Sequence, residues 1–114
     1  MFVMTSLDEI FDILSSERRR YAIYYLHEQN GPVAVEELAN IISKWEDDPP
    51  TQDSSWDEIN KLQIDLIHNQ LPKTAEVEFV QYHPEQGTIQ VEGTSPETDA
   101  IITIARVIER PEED

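Results

Sequence analysis

Apolar residues recur every three to four positions over most of the chain and every second position in one short region. Ser6-Leu7-Asp8-Glu9 has the form of a capping box, in which the Ser6 hydroxyl bonds the third helical N–H and Glu9 reaches back. Leu7, Ile10, Phe11 and Leu14 then fall on one helical face. Ser15-Ser16 interrupts that face and offers a second N-cap. The spacing predicts a helix over 18–29 with Tyr21, Ala22, Tyr24, Tyr25 and Leu26 as its apolar set. Asn30-Gly31-Pro32 is a stop signal, with Gly31 suited to a left-handed C-cap and Pro32 following it. Val33-Ala34-Val35 predicts a very short strand, and 36–45 a third helix with Leu38, Ile41, Ile42 and Trp45 inward.

Residues 46–53 are acidic, contain two prolines and have no apolar anchor, so they predict a loop. Ser54 or Ser55 then caps a long helix. Ile59, Leu62, Leu66, Ile67 and Leu71 alternate there with Asn60, Lys61, Asp65, Asn69 and Lys73 at helical spacing. Pro72 lies inside or at the end of this helix, where its missing N–H is expected to kink or stop it. Segments 77–82 and 88–92 are rich in β-branched and aromatic residues and predict a β-hairpin around the loop 83–87. Thr94-Ser95-Pro96-Glu97 opens a last helix, with Pro96 at the first helical position. Ile101, Ile104, Ala105 and Ile108 form its stripe, and Ile102 and Val107 widen it beyond what one small domain needs. Residues 111–114 read as a frayed acidic end.

Three helices, a hairpin and a helix is the order of a winged helix-turn-helix domain. The segment Leu14-Ser-Ser-Glu-Arg18-Arg19-Arg20-Tyr21-Ala-Ile-Tyr24-Tyr25-Leu26 resembles the LSxxRRRxxLxxL opening of a haloarchaeal family of small winged-helix proteins of unknown function. Val35-Glu-Glu-Leu38-Ala39 followed by Trp45-Glu46 is similar to that family's second-helix segment. Leu66-Ile-His68-Asn-Gln70-Leu71-Pro72-Lys73 resembles its LxHxHLPKL segment. The likeness spans roughly residues 7–92. It implies an α+β winged helix-turn-helix fold over 1–93, with 94–114 an appended helix and acidic tail. An ArsR-like layout would make 55–76 the recognition helix and 79–91 the wing. Gln70 stands in place of a second His, Thr74 in place of Leu, and Val77-Glu78 in place of the usual Gly-hydrophobic pair.

Charge changes this picture. Twenty-four Asp and Glu stand against eight Lys and Arg, a formal charge of −16 on 114 residues. The excess is spread evenly, and only three of the basic residues are Lys, namely Lys44, Lys61 and Lys73. Such a chain suggests adaptation to concentrated salt, because at low salt its surface repels itself. There is no Cys, so disulfides and thiolate metal sites are excluded. His27, His68 and His83 sit on three different elements with no i,i+4 pair, which argues against a metal site. No apolar run approaches a membrane span. Met1-Phe-Val-Met4 is too short and lacks the basic flank of a signal peptide. A soluble cytoplasmic protein is expected.

Arg18, Arg19 and Arg20 form the one cationic cluster and are candidate phosphate clamps, or partners of nearby acids. Asn60, Lys61, Gln63, Asn69, Gln70 and Lys73 could reach base edges or phosphate from the long helix. The alternative there is a solvated face, since Asp57, Glu58 and Asp65 share it. The predicted wing carries Pro84 and Glu85 and no cation, which counts against its gripping DNA. No nucleophile elbow, Gly-rich phosphate loop or buried carboxylate pair is present, so no enzyme and no cofactor is expected.

Ile101, Ile102, Ile104, Ala105 and Ile108 are candidate dimerisation residues, the alternative being that their helix folds back over its own domain. Two functions fit: a homodimeric DNA-binding transcription regulator working in high salt, or a winged-helix protein-interaction module that does not bind DNA. In either, the midpoint of thermal unfolding should rise substantially from about 0.1 M to about 2 M KCl as the Debye length shrinks from roughly 10 Å to below 3 Å. A flat or falling midpoint in a calorimetric or circular-dichroism melt would remove the salt argument.

Overall fold

The structure, a computed structural model, describes residues 6–46 and 55–112. The expected loop at 46–53 and the Ser54 cap therefore lie almost wholly outside the described residues. The chain is α+β, with helices around a small three-stranded antiparallel sheet. Among the described residues no helix is long and apolar enough to cross a membrane.

Helix α1 (Leu7–Leu14) begins at the capping box. Glu9 N–H donates to Ser6 Oγ at 3.1 Å, and Ser6 N–H donates to the Glu9 carboxylate at 3.2 Å. Ile10 and Ile13 turn inward, while Leu7 and Phe11 remain 54% and 55% exposed. The apolar stripe of α1 is thus wider than the surface its neighbours offer. Helix α2 (Glu17–Glu28) has the opposite character. It buries Tyr21, Ala22, Ile23, Tyr24 and Leu26, which cover most of its circumference. A helix enclosed by others is apolar nearly all round, and α2 touches α1, the next helix, the sheet and the last helix.

The left-handed Gly31 cap is not used. Helix α2 ends instead at Gln29, which is already extended (φ −88°, ψ 153°) and donates its N–H to Leu26 O. The chain must run straight into strand β1 (Val33–Ala34), so it has no room for a reversing cap. Helix α3 (Val35–Trp45) starts immediately afterwards without a side-chain cap. The Val35 N–H donates to Gly87 O at 2.9 Å, so the hairpin loop takes over that task. Leu38, Ala39 and Ile42 are buried, Ile41 and Trp45 only partly.

The long helix is continuous but not uniform. It comprises α4 (Ser55–Asp65), a π-helical turn (Leu66–Gln70) and α5 (Leu71–Thr74). Leu66 and Leu71 are both 0% exposed although five residues apart. On a regular α-helix they would point about 140° apart. The wider turn, in which Leu71 N–H donates to Leu66 O, puts both on the core side. It also accommodates Pro72, whose ring would otherwise press on the carbonyl four residues back. Pro72 therefore neither stops nor breaks the helix, which runs one further turn. The pattern of 3.6 alone did not reveal this.

Strand β2 (Val80–His83) begins three residues later than predicted, because 75–79 form a turn that buries Val77 and Phe79. It pairs with β3 (Thr88–Val91) in the register Val80↔Val91 and His83↔Thr88. Gly87 closes the hairpin at φ 67°, a conformation that favours glycine. Strand β1 pairs on the other side of β3, giving the order β1-β3-β2. Helix α6 (Pro96–Glu109) has Ser95 as its N-cap and Pro96 at its first position. Its Ile102 is 2% exposed and belongs to the same core as α2, α3 and the long helix.

The π-turn makes a sharp forecast. Leu71→Ala should cost about 2–5 kcal/mol, as a buried Leu truncation does. Ile67→Ala, on the open side, should cost well under half of that. Denaturant unfolding in concentrated KCl measures both, and equal losses would mean that the helix runs on in α register.

Candidate interaction surface

Consecutive helical residues diverge by about 100°, so three adjacent arginines at the start of α2 fan out toward different neighbours. Arg18 Nε donates to Glu46 at 2.7 Å and its Nη1 to Asp65 at 3.0 Å, joining α2 to the ends of α3 and α4. Arg19 donates to the carbonyls of Ile13 (3.1 Å) and Asp12 (3.0 Å) and to Gln70 Oε1 (3.2 Å). It thereby serves the Ile13 carbonyl at the end of α1, adds to the Ser15 bonds already on Asp12 O, and reaches the π-turn. Arg20 donates from Nη1 to Leu14 O at 2.7 Å and grips Glu109 with Nε and Nη2, both at 2.9 Å. All three arginines are engaged within the chain. The sequence offered them as phosphate clamps; the alternative, pairing with acids and backbone, describes their contacts.

A second set of contacts fastens α6 to the same core helix. Glu109 also accepts from the Tyr24 hydroxyl at 2.9 Å. Arg106 lies over the Trp45 ring, 5.6 Å from its centre, and bonds Tyr24 O, Glu28 and Glu112. His27 Nε2 lies 2.8 Å from Asp99, which also accepts from the Thr94 hydroxyl. The Arg20 hydrogen bond holds the Glu109 carboxyl below its ordinary range despite some burial, with help from Tyr24. Burial opposes ionisation of Asp65, but hydrogen bonds from Asn69, Gln70 and Arg18 together outweigh it and lower that carboxyl too. Thr94 and His27 do the same for Asp99.

This docking corrects the stripe read for dimerisation. Ile102 faces the core, Ala105 packs against it, and Ile101 is half-buried. Only Ile104 and Ile108 of that set are open, at 58% and 77% exposure, joined by Val107 at 59%.

The long helix distributes its candidates unevenly. Asn60 and Lys61 are exposed, and Lys61 has no ion pair among the described residues. Gln63 is half-buried and lines, with Ile67, Tyr82, Pro84 and Gln86, a groove of about 340 Å³ between this helix and the hairpin. Asn69 donates to Asp65 at 2.9 Å. Lys73 is held by Asp12 at 2.9 Å and Glu76 at 3.3 Å. Beside Asn60 and Lys61 the helix exposes Ile64 at 58% and Ile67 at 37%. Ile64, Asp65 as a hub and Glu109 as an anchor were not signalled by spacing. Asp65 and Glu109 take their roles from contacts between elements distant in sequence, and Ile64 stands out by its exposure. Among the described residues no three His, Asp or Glu side chains gather as a metal site.

The Arg20–Glu109 pair makes stability acid-sensitive in a defined direction. A carboxyl lowered in the folded state stabilises it fully above the ordinary value of 4.5. That contribution is lost as pH falls through the lower folded value. Glu109→Gln should therefore cost about 1–2 kcal/mol near neutrality and show a shallower loss toward acid than the wild-type chain. Denaturant unfolding near pH 7 and pH 3.5 tests this, and identical acid losses would assign the contribution elsewhere.

Comparison with curated proteins yields no match, and comparison with solved structures yields none. The family described as "Domain of unknown function (DUF7344)" matches residues 11–90, from the middle of α1 through nearly all of β3, leaving α6 outside the matched span. The match covers well over half of the chain, which therefore belongs to the DUF7344 family.

Proposed function

We propose that this chain is a salt-adapted winged helix-turn-helix domain that works by binding another protein rather than DNA. The order of helices, the hairpin after the long helix and the sheet order β1-β3-β2 support the winged-helix reading. In it, α3 and the long helix form the helix-turn-helix and β2-β3 the wing.

One observation carries the choice of partner. Most of the cations that would clamp a phosphate backbone are engaged within the chain: Arg18, Arg20 and Arg106 in partly buried ion pairs, Arg19 on backbone carbonyls, and Lys73 in a surface pair with Asp12. What the long helix presents instead is exposed Ile64 and Ile67, the latter on a groove at the hairpin where Val35, Tyr82 and Pro84 are mixed with Glu36, Gln63 and Gln86. DNA contacts rest chiefly on Lys and Arg to phosphate. Apolar side chains flanked by polar ones suit a protein surface. A DNA-binding regulator remains the second reading. It is favoured by the exposure of Asn60 and Lys61 on the helix that an ArsR-like layout would place in the major groove.

Two measurements in about 1 M KCl or above separate the readings. Titration of a labelled promoter pool should show no saturable binding, and Lys61→Glu should change nothing. Affinity capture from the source cell's extract at its own salt should retain a partner that Ile64→Glu or Ile67→Glu releases and Lys61→Glu does not. Saturable DNA binding that Lys61→Glu weakens by at least about 1 kcal/mol would instead establish the regulator.

A further inference from the structure

Helix α6 turns its charges toward its own domain and its apolar side outward. Asp99 meets His27, Arg106 meets Glu28, and Glu109 meets Arg20. Ala100, Thr103, Ile104, Val107 and Ile108 are all exposed and all uncharged. Their spacing of i, i+3, i+4, i+7 and i+8 makes them one continuous stripe. Charge returns at its two ends, with exposed Glu97 in the first turn and, just past the last, exposed Arg110 followed by Glu112, whose carboxylate is bonded to Arg106.

We propose that this stripe is a two-fold interface, with α6 lying antiparallel against α6 of a second copy of the chain. A copy of the same uncharged stripe can approach without like-charge repulsion, which a chain of charge −16 otherwise imposes on itself. The antiparallel direction follows from the ends. It sets Glu97 near the partner's Arg110 at both extremities, whereas a parallel pair would set Glu97 on Glu97. Side-chain size agrees. Ala100 and Thr103 occupy the first half of the stripe and Ile104, Val107 and Ile108 the second, so antiparallel packing places large against small. The helix dipoles favour the same arrangement. Ile104 lies midway between Glu97 and Arg110 and so close to the axis. A single helix pair falls at or below the low end of stable interfaces, about 1,200 Å². The dimer should accordingly exchange with monomer and tighten with salt. This pairing does not depend on what the long helix binds.

The chain has no cysteine, so single introduced cysteines report the geometry directly. In about 2 M KCl under mild oxidation, Ile104→Cys should cross-link to itself at least about tenfold faster than a control Glu85→Cys in the exposed hairpin loop. Glu97→Cys and Arg110→Cys should each remain at the control rate alone, yet cross-link to each other when mixed. Sedimentation of the full chain should show dimer rising with concentration, and Ile104→Glu with Ile108→Glu should weaken it by at least about tenfold, a loss of about 1.4 kcal/mol. These positions are at the surface, and circular dichroism verifies that each variant is folded. Self-cross-linking of Glu97→Cys would overturn the antiparallel arrangement. A chain that stays monomeric, or a dimer unchanged in the Glu variant, would overturn the interface itself.

Discussion

Three consecutive arginines on α2 hold the helices in place. Because a helix turns by about 100° per residue, adjacent side chains cannot share a target, and here each serves a different pair of elements. Arg18 closes α2 onto α3 and α4, Arg19 caps α1 and reaches the π-turn, and Arg20 joins the end of α1 to α6. Arginine suits this work better than lysine. Its planar fork gives several directed donors at once, so one residue can satisfy both a helix end and a carboxylate. The core around Tyr24, Ile23 and Leu26 supplies the apolar burial, and the arginines fix the directions in which its neighbours leave.

That use of cations sets the electrostatic character of the surface. Arg106 joins the same scheme from α6, stacked on Trp45 and bonded to Tyr24 O. Most of the positive charge thus lies between elements while most carboxylates face water. Partly buried pairs and bonds to backbone carbonyls are screened far less by salt than exposed charges are. Concentrated salt therefore relieves repulsion at the surface and leaves the internal contacts largely intact. The same division leaves a phosphate backbone few cations to meet, which turns attention to the apolar residues left exposed on α1, the long helix and α6.

Elements were legible wherever a local signal fixed them. The Ser6–Glu9 box, the Ser95-Pro96 start and the hairpin each follow from residues within a few positions of one another. Boundaries and registers set by tertiary contact were not. The π-turn answers to the joint demands of Leu66, Leu71 and Pro72 on a core that no local spacing displays. Gly31 had the form of a left-handed cap, but the chain needed an extended exit toward β3. The candidate site was less legible still. A run of Arg has the same sequence whether it faces DNA or Glu109, and the partners that decide the matter lie up to 89 positions away. Ile102 could not be told from Ile104 by pattern, because both belong to a stripe too wide for one contact.

The most direct test of this account is the stability of Arg18→Gln, Arg19→Gln and Arg20→Gln, taken singly in about 2 M KCl, where purely superficial charge effects are screened. Each substitution removes partly buried, charge-assisted hydrogen bonds. Each should lower the unfolding free energy by about 1–3 kcal/mol. Three variants as stable as the wild-type chain would contradict the account and return the arginines to the surface as free cations.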